Sequence, residues 1–165
     1  MRKILFIHPN FPAQFRHITA LFGRRGYHCV FLTTNGRKDW TIPGVQRLLY
    51  KPVEQKGKPG VFSTLRAAES HARAVVRACV ELKKKGFVAD VVYGASGWGG
   101  TWLVRDVFPK ARLAGYFEWF YDADSADVRF GSRGEPGLQS RINLRLRNTV
   151  IVNDLLSCDL CITPS

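Results

Sequence analysis

Apolar residues fall into two rhythms along this chain. Short, nearly unbroken apolar runs occur at Lys3–Ile7, His28–Thr33 and Leu160–Ile162, and at residues 45–50, 88–93 and 113–117. Runs of that length and continuity mark strands covered on both faces. Between them, apolar positions recur at helical spacing. Residues 14–25 carry Phe15, Ile18, Leu21 and Phe22 on one face and stop at Gly26. The longest helix is expected from Ser63 to about Lys85, capped by Ser63 or Thr64. Leu65, Ala68, Ala72, Val75, Val76, Cys79 and Leu82 form its stripe, and Gly86 ends it. Shorter helices are expected at residues 101–107 and 140–156.

Strands alternating with helices build right-handed β-α-β units and a mainly parallel sheet. The fold class is therefore α/β: a Rossmann-like, mainly parallel sheet flanked by helices. In such sheets, ligands bind beyond the carboxyl ends of the strands. The loops at those ends are chemically loaded. After the first strand comes His8-Pro9-Asn10-Phe11-Pro12, whose two prolines rule out helix and ladder there. After the fourth comes Ala95-Ser96-Gly97-Trp98-Gly99-Gly100, and after the fifth the acidic-aromatic run Glu118-Trp119-Phe120-Tyr121-Asp122-Ala123-Asp124. Glycines admit close backbone approach, and a helix opening after them is expected to offer free N–H groups to an anion. Residues 51–60, with three Lys, two Gly and two Pro, and the polar residues 130–139 read as surface loops.

A chain of 165 residues suffices for one domain with a sizeable core. No apolar run approaches the roughly 20 residues of a membrane helix. The apolar part of the N-terminus, Ile4 to Ile7, is shorter than a signal-peptide core of about 7–15 residues. A cytoplasmic location is expected. The formal net charge of +12 comes from basic residues scattered over the sequence. Solvated surface is one explanation and contact with the anionic inner face of a membrane is another, each basic residue adding about 1 kcal/mol there. Nucleic acid is disfavoured because basic and aromatic residues do not interleave. Of four cysteines, Cys158 and Cys161 have C-x-x-C spacing, but no second pair completes a zinc site, and buried apolar thiols are the expectation.

Several segments, taken in order, resemble one group of family 4 glycosyltransferases. They are Ile4-Leu5-Phe6-Ile7-His8 through Asn10-Phe11-Pro12-Ala13-Gln14-Phe15-Arg16-His17, Ser96-Gly97-Trp98-Gly99, Asp106-Val107-Phe108-Pro109, Gly115-Tyr116-Phe117-Glu118, Ala126-Asp127-Val128 and Arg145-Leu146-Arg147-Asn148. The resemblance covers essentially the whole chain. It implies the GT-B architecture of two Rossmann-like halves, with residues 1–165 as the N-terminal, acceptor-side domain and a donor-binding C-terminal domain lying outside this sequence. It further implies a retaining hexosyltransferase for glycan biosynthesis, moving sugar from a nucleoside-diphosphate sugar to a glycan, lipid-linked or small-molecule acceptor. No metal and no cofactor are implied, and the fragment is expected to be inactive without its own C-terminal domain. Three positions depart from the pattern: the resemblance leads to a glycine near Ala13, a histidine near Ala95 and an acid near Gly100.

The candidate cleft residues are His8, Asn10, Phe11 and Gln14 after the first strand, and Ser96, Gly97, Trp98 and Gly99 after the fourth. Tyr121 and Asp124 join them from the acidic-aromatic run, with Glu118 as the candidate catalytic carboxylate. Asn10 and Gln14 offer donors and acceptors suited to sugar hydroxyls, and Trp98 offers a face for stacking. Each has a structural alternative: turn geometry for the glycines, loop capping for Asn10 and Gln14, and ion pairing with Arg129 or Arg133 for the acids. The alternative function is a non-catalytic nucleotide- or phosphate-binding module with a flavodoxin-like sheet. A nucleic-acid-binding accessory domain, motivated only by charge, comes third.

Overall fold

In the computed structural model, which describes residues 1–36, 39–54, 62–130 and 135–164, the chain forms one six-stranded sheet in the order β3-β2-β1-β4-β5-β6. The strands are β1 (Lys3–Ile7), β2 (His28–Thr33), β3 (Val45–Leu49), β4 (Val91–Ala95), β5 (Arg112–Tyr116) and β6 (Leu160–Ile162), and every pairing is parallel. The helices are α1 (Arg16–Arg24), α2 (Ser63–Lys84), α3 (Val104–Val107), α4 (Ala126–Arg129) and α5 (Leu138–Ser157), with a 3-10 turn at Ala13–Phe15. No described helix is long and apolar enough to cross a membrane.

The continuous apolar runs divide strictly by pleat. Leu5, Ile7, Val30, Leu32, Val92 and Leu113 point to one side, where Ala74, Val75, Cys79 and Leu82 of α2 and Val104 and Val107 of α3 pack. Ile4, Phe6, Cys29, Phe31, Tyr93 and Ala114 point to the other and meet Phe11 and Phe15. A period of two places alternate side chains on opposite faces, so a strand clothed on both sides has to be apolar throughout.

Several local expectations change. The fourth strand begins at Val91 rather than residue 88, because Asp90 turns the chain in: its carboxylate accepts from Lys3 N–H at 2.7 Å and its own N–H donates to the Lys3 carbonyl at 2.9 Å. Phe87 and Ala89 drop into the core and Val88 faces solvent. Neither Ser63 nor Thr64 caps α2, which follows Phe62 with no side-chain cap. Leu21 and Leu65, expected on buried helix faces, are exposed. The helix expected at residues 101–107 shrinks to four residues, and α5 starts at Leu138 and ends at Ser157. Cys29 and Cys79 are buried thiols as expected, but Cys158 is half-buried and Cys161 exposed. The loop expected at residues 51–60 and that at 130–139 lie partly outside the described residues.

Part of the basic surface has structural work. Lys83 donates to the Val107 carbonyl at 2.9 Å and Lys84 pairs with Glu81, so two members of the Lys83-Lys84-Lys85 run sit where a helix C-terminus favours cations.

Two backbone positions have opposite needs. Gly99 has φ +75° and passes so close to α2 that a Cβ would stand 2.3 Å from the Ala68 carbonyl oxygen. Ala13, with φ 45°, occupies the left-handed region without being glycine. A Gly99→Ala exchange should therefore lower unfolding free energy by about 2 kcal/mol or more, through strain and clash together. Ala13→Gly should raise it by about 0.5–1 kcal/mol, since the left-handed penalty outweighs the extra entropy of unfolded glycine. Urea titration of both variants tests the pair, and a loss of stability in Ala13→Gly would contradict the backbone assignment.

Candidate active site

The sheet order reverses between β1 and β4, and parallel strands leave their carboxyl ends on one edge. A cavity of about 680 Å³ opens there. It is lined by His8 after β1, by Ser96, Gly97 and Trp98 after β4, and by Tyr116, Glu118, Trp119 and Tyr121 at and beyond the end of β5. The first turns of α2 give Ser63, Thr64, Arg66 and His71, and α5 gives Arg147 and Ile151. The volume is that of an ordinary small-molecule site.

His8 is fixed by Asn10, and Gln14 is hydrogen-bonded to Glu118. The His8 ring is buried and stands edge-on to Phe15 at 5.2 Å. Its Nδ1 accepts the Asn10 N–H at 2.9 Å. Burial holds the His8 pKa below its ordinary value, against the opposing pulls of the Asn10 bond and the Glu118 charge. A neutral ring accepting at Nδ1 carries its proton on Nε2. The Gln14 amide donates to both Glu118 oxygens, at 2.9 and 2.8 Å. Residues 104 positions apart are thereby joined across the mouth of the crevice.

The glycine loop is held from behind. The Asp154 carboxylate, 1% exposed, accepts from Gly97 N–H at 2.7 Å and from the Thr101 hydroxyl. Ser96 N–H donates to the Tyr116 carbonyl at 2.9 Å. Trp98, tethered on both sides, is 45% exposed in the cavity wall, with the His71 ring 6.2 Å away. The expectation of free N–H groups for an anion is narrowed here at two positions and by the length of the helix. Gly97 N–H belongs to Asp154, Trp102 N–H to the Gly99 carbonyl, and a four-residue α3 offers little dipole.

Of the candidate residues, His8, Ser96, Gly97, Trp98, Glu118 and Tyr121 line the one cavity, and Gln14 is bonded to it through Glu118. Four stand elsewhere. Asn10 is exposed and serves His8 through its backbone. Phe11 is 3% exposed, stacked under the Arg47 guanidinium and edge-on to Phe31, because the loop folds back onto the sheet. Gly99 lies against the α2 backbone. Asp124 is bonded by Arg129 at 2.7 Å and by Arg141 at 2.9 Å, which hold its carboxyl down at about 2. Arg133 and the Asp127 side chain lie outside what is described. Among the described residues no three His, Cys, Asp or Glu side chains converge on a metal position.

Sequence reasoning passed over His71, Asp154 and Asn148. His71 lies three residues after Ala68 and four before Val75 on the α2 stripe, and its Nδ1 meets the Tyr50 hydroxyl at 3.0 Å. Asp154 interrupts the buried stripe of Val150 and Ile151. Asn148 accepts from Tyr121 N–H at 2.9 Å and donates to its carbonyl at 2.7 Å. A polar residue on an apolar stripe was the available signal in each.

A parallel sheet in this order, with a polar and aromatic crevice at its switch point, defines a Rossmann-like domain. Residues 25–165 match the family described as glycosyl transferase family 4 group, and the chain belongs to that family. No curated protein matches it. Among solved structures, Arabidopsis thaliana UGT89C1 complexed with UDP-L-rhamnose is similar at TM-score 0.50 and 14% identity, over 86% of this chain and 41% of that one. Clostridium botulinum phage c-st TubZ, C-terminal tail truncated, gives 0.49 at 13%, over 92% and 48%. The Candida albicans trehalose-6-phosphate phosphatase N-terminal domain gives 0.49 at 12%, over 98% and 40%. The chain thus spans about half or less of the proteins it resembles, and the likeness is one of fold.

Burial raises the Asp154 pKa from 3.8 to about 6, against the two hydrogen bonds that favour its anion. The folded chain then holds this proton more tightly than the unfolded chain, so stability should fall as pH rises from about 4 to about 6 and level off above. At about 1.4 kcal/mol per unit, the contribution is about 3 kcal/mol. Asp159, held low chiefly by Arg105, acts oppositely at lower pH, so the measurement is the difference between wild type and Asp154→Asn. A difference that stays constant across the interval would refute the assignment.

Proposed function

We propose that this chain is the acceptor-side half of a retaining glycosyltransferase that uses a nucleoside-diphosphate sugar. The observation that carries the reading is the convergence of His8, Ser96, Trp98 and Glu118 on one cavity at the β1/β4 switch point, in a chain of this family. The acceptor hydroxyl is assigned to Glu118, whose carboxylate is exposed at the rim and fixed by Gln14. His8 presents a neutral donor at the crevice floor, and Trp98 presents a flat face to a sugar ring. The donor-binding half is assigned to a C-terminal domain beyond these residues, and the transferred group to a hexose. Transfer forms the bond from the acceptor oxygen to the anomeric carbon as the bond to the departing diphosphate breaks, with the acceptor hydroxyl proton passing to the Glu118 carboxylate.

Paired assays of the full-length protein and of residues 1–165 with a panel of nucleotide-sugars test this. Sugar transfer is expected only from the full-length protein. Within it, Trp98→Ala and Glu118→Gln should each cut turnover or acceptor affinity by about tenfold or more, with melting temperatures close to wild type. Turnover by residues 1–165 alone, or two fully active variants, would remove the assignment.

A further inference from the structure

We propose that Arg66 and Arg147 form an anion-binding subsite in this cleft, and that the acceptor is a sugar bearing a phosphate or carboxylate group. The inference rests on the acceptor-cleft reading and narrows it to a substrate class.

The cavity wall is electrically two-sided. Its carboxylate, Glu118, belongs to the β1–β5 side and is already bonded through both oxygens by Gln14. Its guanidinium groups come from two helices, Arg66 from α2 and Arg147 from α5. Both arginines are exposed, and among the described residues neither has a carboxylate partner. The two histidines of the lining, His8 and His71, are held below their ordinary pKa by burial and add no charge at neutral pH. Some arginines elsewhere are paired: Arg73 with Glu69, Arg105 with Asp159, and Arg129 and Arg141 with Asp124. Among the described arginines that no carboxylate pairs, Arg66 and Arg147 are the two in the lining of this cavity.

Arg147 is also held in place. Its guanidinium lies 4.1 Å from the Tyr121 ring centroid and donates to the Tyr121 hydroxyl at 2.9 Å. Tyr121 is itself fixed by Asn148 through both its N–H and its carbonyl. One of five guanidinium N–H groups is used, leaving a planar fork of the kind that takes carboxylate or phosphate oxygens. Little ordering is then left to be done on binding. Trp98, Trp119 and Tyr121 add aromatic faces to the same lining. A ligand with a sugar ring in the middle, a hydroxyl toward Glu118 and an anion toward the arginines satisfies all three surfaces.

Calorimetric titration of the 165-residue chain with glucose 6-phosphate, glucuronate, glucose and uridine diphosphate tests the proposal. Both anionic sugars should bind, and glucose should be at least about tenfold weaker, as loss of a charge-assisted contact requires. Arg66→Gln and Arg147→Gln should each weaken the anionic sugars by about tenfold, Arg147→Lys should recover part of that loss, and Arg73→Gln should change nothing. Equal affinity for glucose, failure of both anionic sugars to bind, or an equal loss in Arg73→Gln would overturn the subsite. Displacement of glucose 6-phosphate by uridine diphosphate, with both lost in the same variants, would assign the arginines to the donor and overturn the acceptor class. The readout is binding, so absence of sugar transfer would count against the enzyme reading and leave this result standing.

Discussion

One buried carboxylate organises the crevice. Asp154 reaches from α5 to Gly97 N–H and the Thr101 hydroxyl, and so decides where the loop after β4 lies. A desolvated charge is tolerated only with good partners, and its pKa near 6 shows that two hydrogen bonds offset the burial only in part. That residual cost falls on the loop carrying Trp98. The same loop is trapped from below, because Gly99 touches the α2 backbone and a Cβ on Gly94 would meet the Thr101 side chain at 2.1 Å. Trp98 can therefore be half out of the protein and still have one position, which a wall against a flat ligand requires.

The large features were legible because each has a local cause. Unbroken apolar runs gave the strands, and the alternation of Leu5 and Ile7 with Ile4 and Phe6 onto opposite faces explains why they are unbroken. Parallel order then brings His8, Ser96, Trp98 and Glu118 to one edge, although the first and last are 110 positions apart. The placements that changed depend on groups distant in sequence. Phe11 reads as a loop aromatic until Arg47, from β3, closes over it. Asp124 takes the ion pair with Arg129 that the sequence offered as its alternative, and Arg141 of α5, which it did not, completes the clamp. Gly97 reads as an anion cradle until Asp154 takes its N–H. In each case the deciding partner lies on another element, where no spacing rule reaches.

Ala13 shows that a departure from a family pattern can have a physical signature. The resemblance calls for glycine there, and the backbone at Ala13 has the positive φ that glycine adopts freely. Ala95 and Gly100 leave a different trace. Ala95 lines the cavity with a small side chain, and a Cβ at Gly100 would stand 3.0 Å from Ile7 Cγ2. A histidine and an acid at those places would narrow the cleft beside β1 and need the core to give, so the space over β1 is tied to their absence.

The strong positive charge acquires a pattern once pairing is considered. The chain has 25 Lys and Arg against 13 Asp and Glu, and several acids are used where structure needs them. Asp159 joins Arg105 to the β5–β6 edge through Leu113 N–H, Asp124 gathers Arg129 and Arg141, and Asp90 fixes the chain entering β4. Acids spent on fixed joints cannot also neutralise the crevice. Glu118 remains at the cavity, and Gln14 bonds it without cancelling its charge, since a carboxamide is neutral. The crevice therefore keeps separated charges of both signs, arginines on the helix side and a carboxylate on the strand side. Separated charges at the walls of a concavity orient a polar ligand more strongly than they retain a neutral one.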